Sequence, residues 1–153
     1  MSILQVAALL LVAGAVAGAL YVRLAPSGSE WHVDPEAAGT TGPGRWLMAE
    51  GGDAPPLILG APPGRALEAF DAVAREDGAE RLAWEPEAGR ATYVDRSRVF
   101  GFPDYVSVKA APDGEGTRLA AYSRLRFGRE DMGVNRRRLA AWAEATRAAL
   151  EAG

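Results

Sequence analysis

Cysteine is absent from this chain of 153 residues, which excludes disulfide staples, thiolate ligation of zinc or iron–sulfur clusters, and a cysteine nucleophile. Histidine occurs once, at position 32. A metal centre would therefore rest almost wholly on carboxylates, and none is expected. Ser97 and Ser123 have no histidine placed to partner them, so no hydrolytic triad can be assembled. No glycine-rich phosphate loop or other cofactor motif is present, and no cofactor is expected. Strong basicity is missing too: the formal net charge is −3, which argues against a dedicated nucleic-acid binder. That total conceals an asymmetry, because residues 30–89 hold 4 arginines against 12 acids whereas residues 90–153 hold 12 basic residues against 8 acids. Such polarity suits an internal electrostatic fit or one anion-seeking face.

Residues 3–22, ILQVAALLLVAGAVAGALYV, carry no charge. As a helix rising about 1.5 Å per residue they would span about 30 Å, the thickness of a bilayer's hydrocarbon core. Gln5 falls at one boundary and Tyr21 with Arg23 at the other, where an amphipathic ring and a snorkelling guanidinium belong. Residues 1–23 are read as a transmembrane anchor. A cleaved leader is the competing reading, with Ala15-Val16-Ala17 as its A-x-A site, but the basic leader region is missing and the apolar run continues past that site. Gly14 and Gly18 form a G-x-x-x-G spacing suited to a helix–helix contact with a transmembrane protein partner. Arg23 is the lone basic residue flanking the span, which by charge count leans toward a cytoplasmic domain.

Residues 24–56 are rich in proline and glycine and read as a juxtamembrane linker. Trp31, Trp46, Leu47 and Met48 interrupt it, so partial docking on the domain is expected. Residues 57–153 form the domain. A short strand over 57–59 precedes a helix over 64–77 introduced by Pro62-Pro63 and ended by Gly78. Ala66, Leu67, Phe70, Val73 and Ala74 make its apolar stripe. Strands are expected over 81–85, 90–100, 105–110 and 117–127, joined by short turns into an antiparallel meander. A closing helix begins near Asn135, taken as its N-cap, and buries Leu139, Trp142, Ala143, Thr146 and Leu150. The expected fold is α+β: an antiparallel sheet of four to five strands with two helices on one face.

The run Ser97-Arg98-Val99-Phe100-Gly101-Phe102-Pro103-Asp104, then Tyr122-Ser123-Arg124, then Gly128 with Asp131-Met132-Gly133-Val134-Asn135-Arg136-Arg137-Arg138, resembles the bacterial domain-of-unknown-function family 1499. Tyr21-Val22-Arg23-Leu24-Ala25-Pro26 with Trp31-His32-Val33-Asp34-Pro35 resembles the alphaproteobacterial, membrane-anchored version of that family. The resemblance implies an α+β envelope domain on the periplasmic side of the inner membrane, and it overrides the single-arginine charge count. It implies no mechanism. Members with a Pro-Asn-Cys segment carry a thiol that this chain lacks.

Strand alternation sorts the polar residues. Arg118, Tyr122, Arg124 and Arg126 share one face of the last strand, as do Arg96 and Arg98 in the second and Tyr105, Ser107 and Lys109 in the third. If these faces coincide, the helix-free side of the sheet becomes a cationic patch for an anionic small molecule; alternatively it is an ordinary solvated face. Arg136, Arg137 and Arg138 at the start of the closing helix oppose the helix dipole. They either flank an anion site for a lipid phosphate or carboxylate, or pair with Asp104, Glu130 and Asp131 to shape the loop. Asp104, Asp131 and Asn135 are read as structural or capping. His32 alone suits acid–base work near neutral pH, yet its place beside the membrane reads better as a docking element.

The function expected is that of a non-enzymatic, membrane-anchored envelope protein that meets membrane lipid and binds an anionic ligand or a protein partner. An accessory single-span subunit is the alternative, and an uncharacterised hydrolase comes third.

Overall fold

The computed structural model describes residues 1–39, 42–97 and 101–152. The leading apolar segment forms helix α1, Ile3–Leu24, opened by a capping box in which Ser2 and Gln5 each accept the other's backbone N–H. None of its residues is buried. It is long and apolar enough to cross a membrane.

Six strands follow: β1 (Arg45–Met48), β2 (Leu57–Leu59), β3 (Glu80–Glu85), β4 (Arg90–Arg96), β5 (Pro103–Asp113) and β6 (Gly116–Leu125). They form one antiparallel sheet in the order β1-β6-β5-β4-β3, and β2 continues along the same edge of β6 that β1 occupies. The sheet thus has more strands than expected. The additional one, β1, lies inside the segment read as a linker, where flanking glycines and Pro43 hid a four-residue Arg-Trp-Leu-Met strand. Its register sets Leu47 opposite Tyr122 and Met48 opposite Ala121. The β5–β6 connection is a two-residue turn containing Gly114, closed by the Asp113–Gly116 pair.

Helices α2 (Pro63–Glu76) and α3 (Val134–Ala152) lie on one face of the sheet. The apolar stripe of α2 buries Ala66, Leu67, Phe70 and Ala74, and α3 buries Leu139, Trp142, Ala143 and Thr146. Phe70, Tyr93 and Trp142 meet edge-on or tilted, with ring centroids 5.7 to 6.2 Å apart. Burying each such ring or leucine contributes about 1.5–3 kcal/mol.

The opposite face is not bare. Leu47, Ala49, Ala120 and Tyr122 form a second cluster there with Val33 and Ala38. Those last two belong to residues 25–39, which leave α1 and run across the sheet as a strap containing two 3-10 turns, Ser29–Trp31 and Pro35–Ala37.

Candidate functional site

The sheet register brings the polar positions together as their alternation suggests. Thr92 pairs with Ser107 and Ser107 with Tyr122, while Tyr105 pairs with Arg124. This face is neither an open cationic patch nor an ordinary solvated one, because the strap lies on it. Trp31 stacks on Tyr105 with ring centroids 4.0 Å apart and planes 12° apart. The Trp31 carbonyl accepts from Arg124 and, at 3.1 Å, from the Ser107 hydroxyl. Arg124 also lies over the Trp31 and Tyr122 rings, so its charge is held by π faces and carbonyls in place of water. Only 7% of it is exposed, and burial pulls its pKa down to about 10. It stays a cation at neutral pH. Arg126 donates to the Pro26 carbonyl at 2.6 Å and to the Tyr105 hydroxyl at 3.0 Å. His32 Nδ1 lies 2.8 Å from the Thr92 hydroxyl, and its Nε2 lies 3.2 Å from Glu85, an ion pair whenever the ring is protonated.

The strap brings its own acids to this face. Lys109 Nζ is 2.6 Å from Asp34 and 2.8 Å from Glu36, and Arg118 is 2.8 Å from Glu36. Hydrogen bonding from Lys109 holds Glu36 below its ordinary value, against a smaller opposing effect of burial. Burial is the largest influence on Asp34 and pushes it up, but bonds from Lys109 and the Glu36 amide together outweigh it and the net shift is downward. The charge asymmetry between the two halves of the chain is thus met in part by an internal fit.

The arginine run at the start of α3 separates into three fates. Arg136 is exposed and lies over the Trp46 ring, 5.3 Å from its centroid. Arg137 is exposed and donates to the Met132 carbonyl at 2.9 Å. Arg138, with 8% of its side chain exposed, bridges Asp95 at 2.5 Å and Asp104 at 3.2 Å. Burial raises the Asp104 carboxyl, Arg138 opposes that, and Asp95 and Asp131 reinforce it. Asn135 is not the N-cap: α3 starts one residue earlier, and the amides of Gly133 and Asn135 both donate to the Asp131 carboxylate. Asn135 instead lies fully buried, its Oδ1 accepting from the Ser123 hydroxyl at 2.5 Å and its Nδ2 donating to the Gly44 carbonyl at 3.1 Å. The helix terminus is occupied by the chain's own carboxylate, which removes it as an open anion site.

Two adjoining hollows lie at one end of the sheet. A cleft of about 640 Å³ is lined by Asp95, Arg96, Phe102, Asp104, Leu125, Phe127, Met132, Val134 and Arg138, among others. A second, wider groove of about 780 Å³ shares Leu125, Gly128 and Glu130 with it and adds Arg45, Arg126 and Arg129. The last turn of α1 reaches this end: the Tyr21 ring meets Phe127 edge-on at 6.3 Å, and a Cβ at Gly101 would lie 3.0 Å from the Arg23 side chain.

Of the residues singled out from sequence, Tyr122 and Arg124 hold the strap, and Arg126 does so from the edge of the groove. Arg96 and Arg138 line the cleft, and Arg98 lies outside the described residues. Gly14 and Gly18 face open space. Sequence reasoning missed Phe102, Phe127, Met132 and Arg129, which come from turns between elements. An exposed methionine at positive φ has no periodic signature, although the turn-rich spacing around Gly128 and Gly133 was visible. Among the described residues no three acidic or histidine side chains converge as metal ligands.

The model of a family described as a protein of unknown function, DUF1499, matches residues 35–146. No curated protein matches the chain.

Proposed function

Given that the chain belongs to the DUF1499 family, we propose that it is a non-enzymatic envelope protein, held in the inner membrane by α1 with its domain on the periplasmic side, that binds an anionic ligand at the membrane surface. The observation that carries this reading is the double attachment of the domain to its anchor. The strap lies along the sheet through Trp31, Asp34 and Glu36, while the end of α1 touches Phe127 and the loop at Gly101. A domain so attached presents the Arg45, Arg126 and Arg129 groove beside the lipid headgroups instead of sweeping freely on a tether.

The test is purification of the full chain from gently solubilised membranes, with mass spectrometry of proteins and lipids. A second arm fuses a periplasm-dependent reporter to the C-terminus. The reading expects an active reporter and a co-purified anion that Arg129→Glu removes. A domain recovered in the soluble fraction without detergent would overturn it.

A second reading, an accessory single-span subunit, is favoured by one observation: every side chain of α1 is unburied, and Gly14 with Gly18 presents a small-residue face to open space. A stoichiometric membrane partner lost on Gly14→Leu would select it.

A further inference from the structure

The cleft at the α1 end has no occupant in the reading above, and its walls are chemically unlike the groove beside it. Phe102 is 40% exposed, Val134 38% and Met132 90%, and Leu125 and Phe127 join them in a lining that also carries Arg96, Arg138 and several acids. Met132 is the one described non-glycine residue with positive φ, at 50°. A residue other than glycine adopts that conformation at a cost, and here it places a large apolar group beside the apolar part of the cleft lining.

We infer that the cleft takes an acyl chain of an acidic phospholipid from the bilayer that α1 enters, with the lipid phosphate against Arg129 and Arg126 in the adjoining groove. This rests on the anion-binding reading and gives its ligand a chemical class. Three further observations carry it. First, Tyr21 touches Phe127 and Arg23 abuts Gly101, next to Phe102, so two cleft walls lie at the level where the span ends. That is where amphipathic rings and arginines meet headgroups. Second, the groove and the cleft border one another, sharing Leu125, Gly128 and Glu130 in their linings, so a chain in one and a phosphate in the other lie side by side. Third, the cleft's acids are mostly already partnered. Arg138 takes Asp95 and Asp104, Asp131 receives two amides, and Asp77 accepts from the Trp142 indole at 2.8 Å. Glu130, exposed at the junction, is the acid that opposes an anion. Raising of the Asp104 carboxyl by burial accords with a poorly hydrated hollow. The volume, about 640 Å³, falls within the range of about 300–1,000 Å³ usual for ligand sites.

The experiment uses the full chain in phosphatidylcholine nanodiscs containing a trace of lipid with a photoactivatable acyl chain, supplied either as phosphatidylglycerol or as phosphatidylcholine. Adducts are mapped by mass spectrometry. The expected result is labelling at Phe102, Phe127 or Met132, stronger for the phosphatidylglycerol probe by about fivefold per arginine engaged. Arg129→Glu should erase the preference, and Met132→Glu, an exposed position that the fold should tolerate, should erase the labelling. Adducts confined to residues 3–24, or equal labelling by both probes, would overturn the inference. Phosphorus NMR with inorganic phosphate separates the two levels: phosphate held at Arg129 without acyl adducts sinks the lipid and leaves the anion site, whereas neither signal sinks both.

Discussion

Trp31 lies flat on Tyr105, 74 positions further along the chain, with centroids 4.0 Å apart. The indole belongs to the segment that leaves helix α1 and the phenol to strand β5 of the sheet. Arg124 sits across the Trp31 ring, 5.4 Å from its centroid, and donates to the Trp31 carbonyl. One residue thus supplies the ring, the acceptor and the cover that let an arginine be buried on a sheet face.

Replacing Trp31 by alanine should free the strap and expose Arg124, Ser107 and Thr92 to water. The expected cost is about 2 kcal/mol, below that of a fully buried tryptophan because the residue is only half-buried. Hydrogen exchange along β5 and β6, with denaturant unfolding, checks it. Unchanged exchange at Tyr105 and Ser107 would show that the strap does not shield them.

The strap should respond to pH at both extremes. Asp34 and Glu36 are held below their ordinary values of 3.8 and 4.5. Their contribution is therefore complete above those values and is lost as pH falls through the lowered ones. Lys109 is raised above its ordinary 10.5 by the hydrogen bonds it donates to both acids, so its contribution is full below that value and is lost as pH rises through the raised one. Trp31 emission, taken as the difference between the natural chain and Trp31→Phe, should change in acid, as Asp34 and Glu36 lose their charge, and in strong alkali, as Lys109 and the Arg124 over the Trp31 ring lose theirs. No change in acid would show that the Lys109 clasp does not hold the strap.

Arg138→Leu should cost about 3 kcal/mol, because it leaves Asp95 and Asp104 partly buried without their shared cation. The loss should shrink in acid. The Asp104 carboxyl is already raised by burial, and a protonated acid is easier to bury than a carboxylate. Adding Asp104→Leu and Asp95→Asn should restore much of the stability. Urea unfolding of the single and triple variants at neutral and mildly acidic pH measures both effects.

Gly116→Ala tests the edge where β2 joins β6. The new Cβ would run into the Leu59 carbonyl oxygen, a backbone atom that yields only if β2 moves. A loss of about 2 kcal/mol is expected. Gly114→Ala, two residues away with φ of +58° and open space around it, should cost about 1 kcal/mol through backbone strain alone. Equal losses at the two sites would mean that the β2 contact contributes little.

Legibility varied along the chain for physical reasons. α1 could be read because a charge-free stretch of that length matches the thickness of a bilayer and is costly to leave in water. α2 and α3 could be read because three- and four-residue spacing marks a buried helical stripe over several turns. β1 was hidden because four residues are too few for alternation to show against neighbouring glycines. Arg138 and Arg136 stand two positions apart with the same charge, yet one is buried on two carboxylates and the other lies on a tryptophan; their different surroundings come from β4, β5 and β1, not from α3 itself.

By itself the sequence determined the apolar span, the α+β layering with helices on one face, and the alternation that aligned Tyr105, Ser107, Tyr122 and Arg124 on the other. Those follow from local periodicity and from the free energy of burying apolar surface. Only the tertiary structure decided that this polar face is closed by residues 25–39, that Asp131 caps α3, and that Arg126, Arg129 and the apolar side chains of the cleft gather where α1 ends. Such outcomes depend on contacts between residues far apart in the chain, whose charges and hydrogen bonds satisfy one another only once the chain has folded.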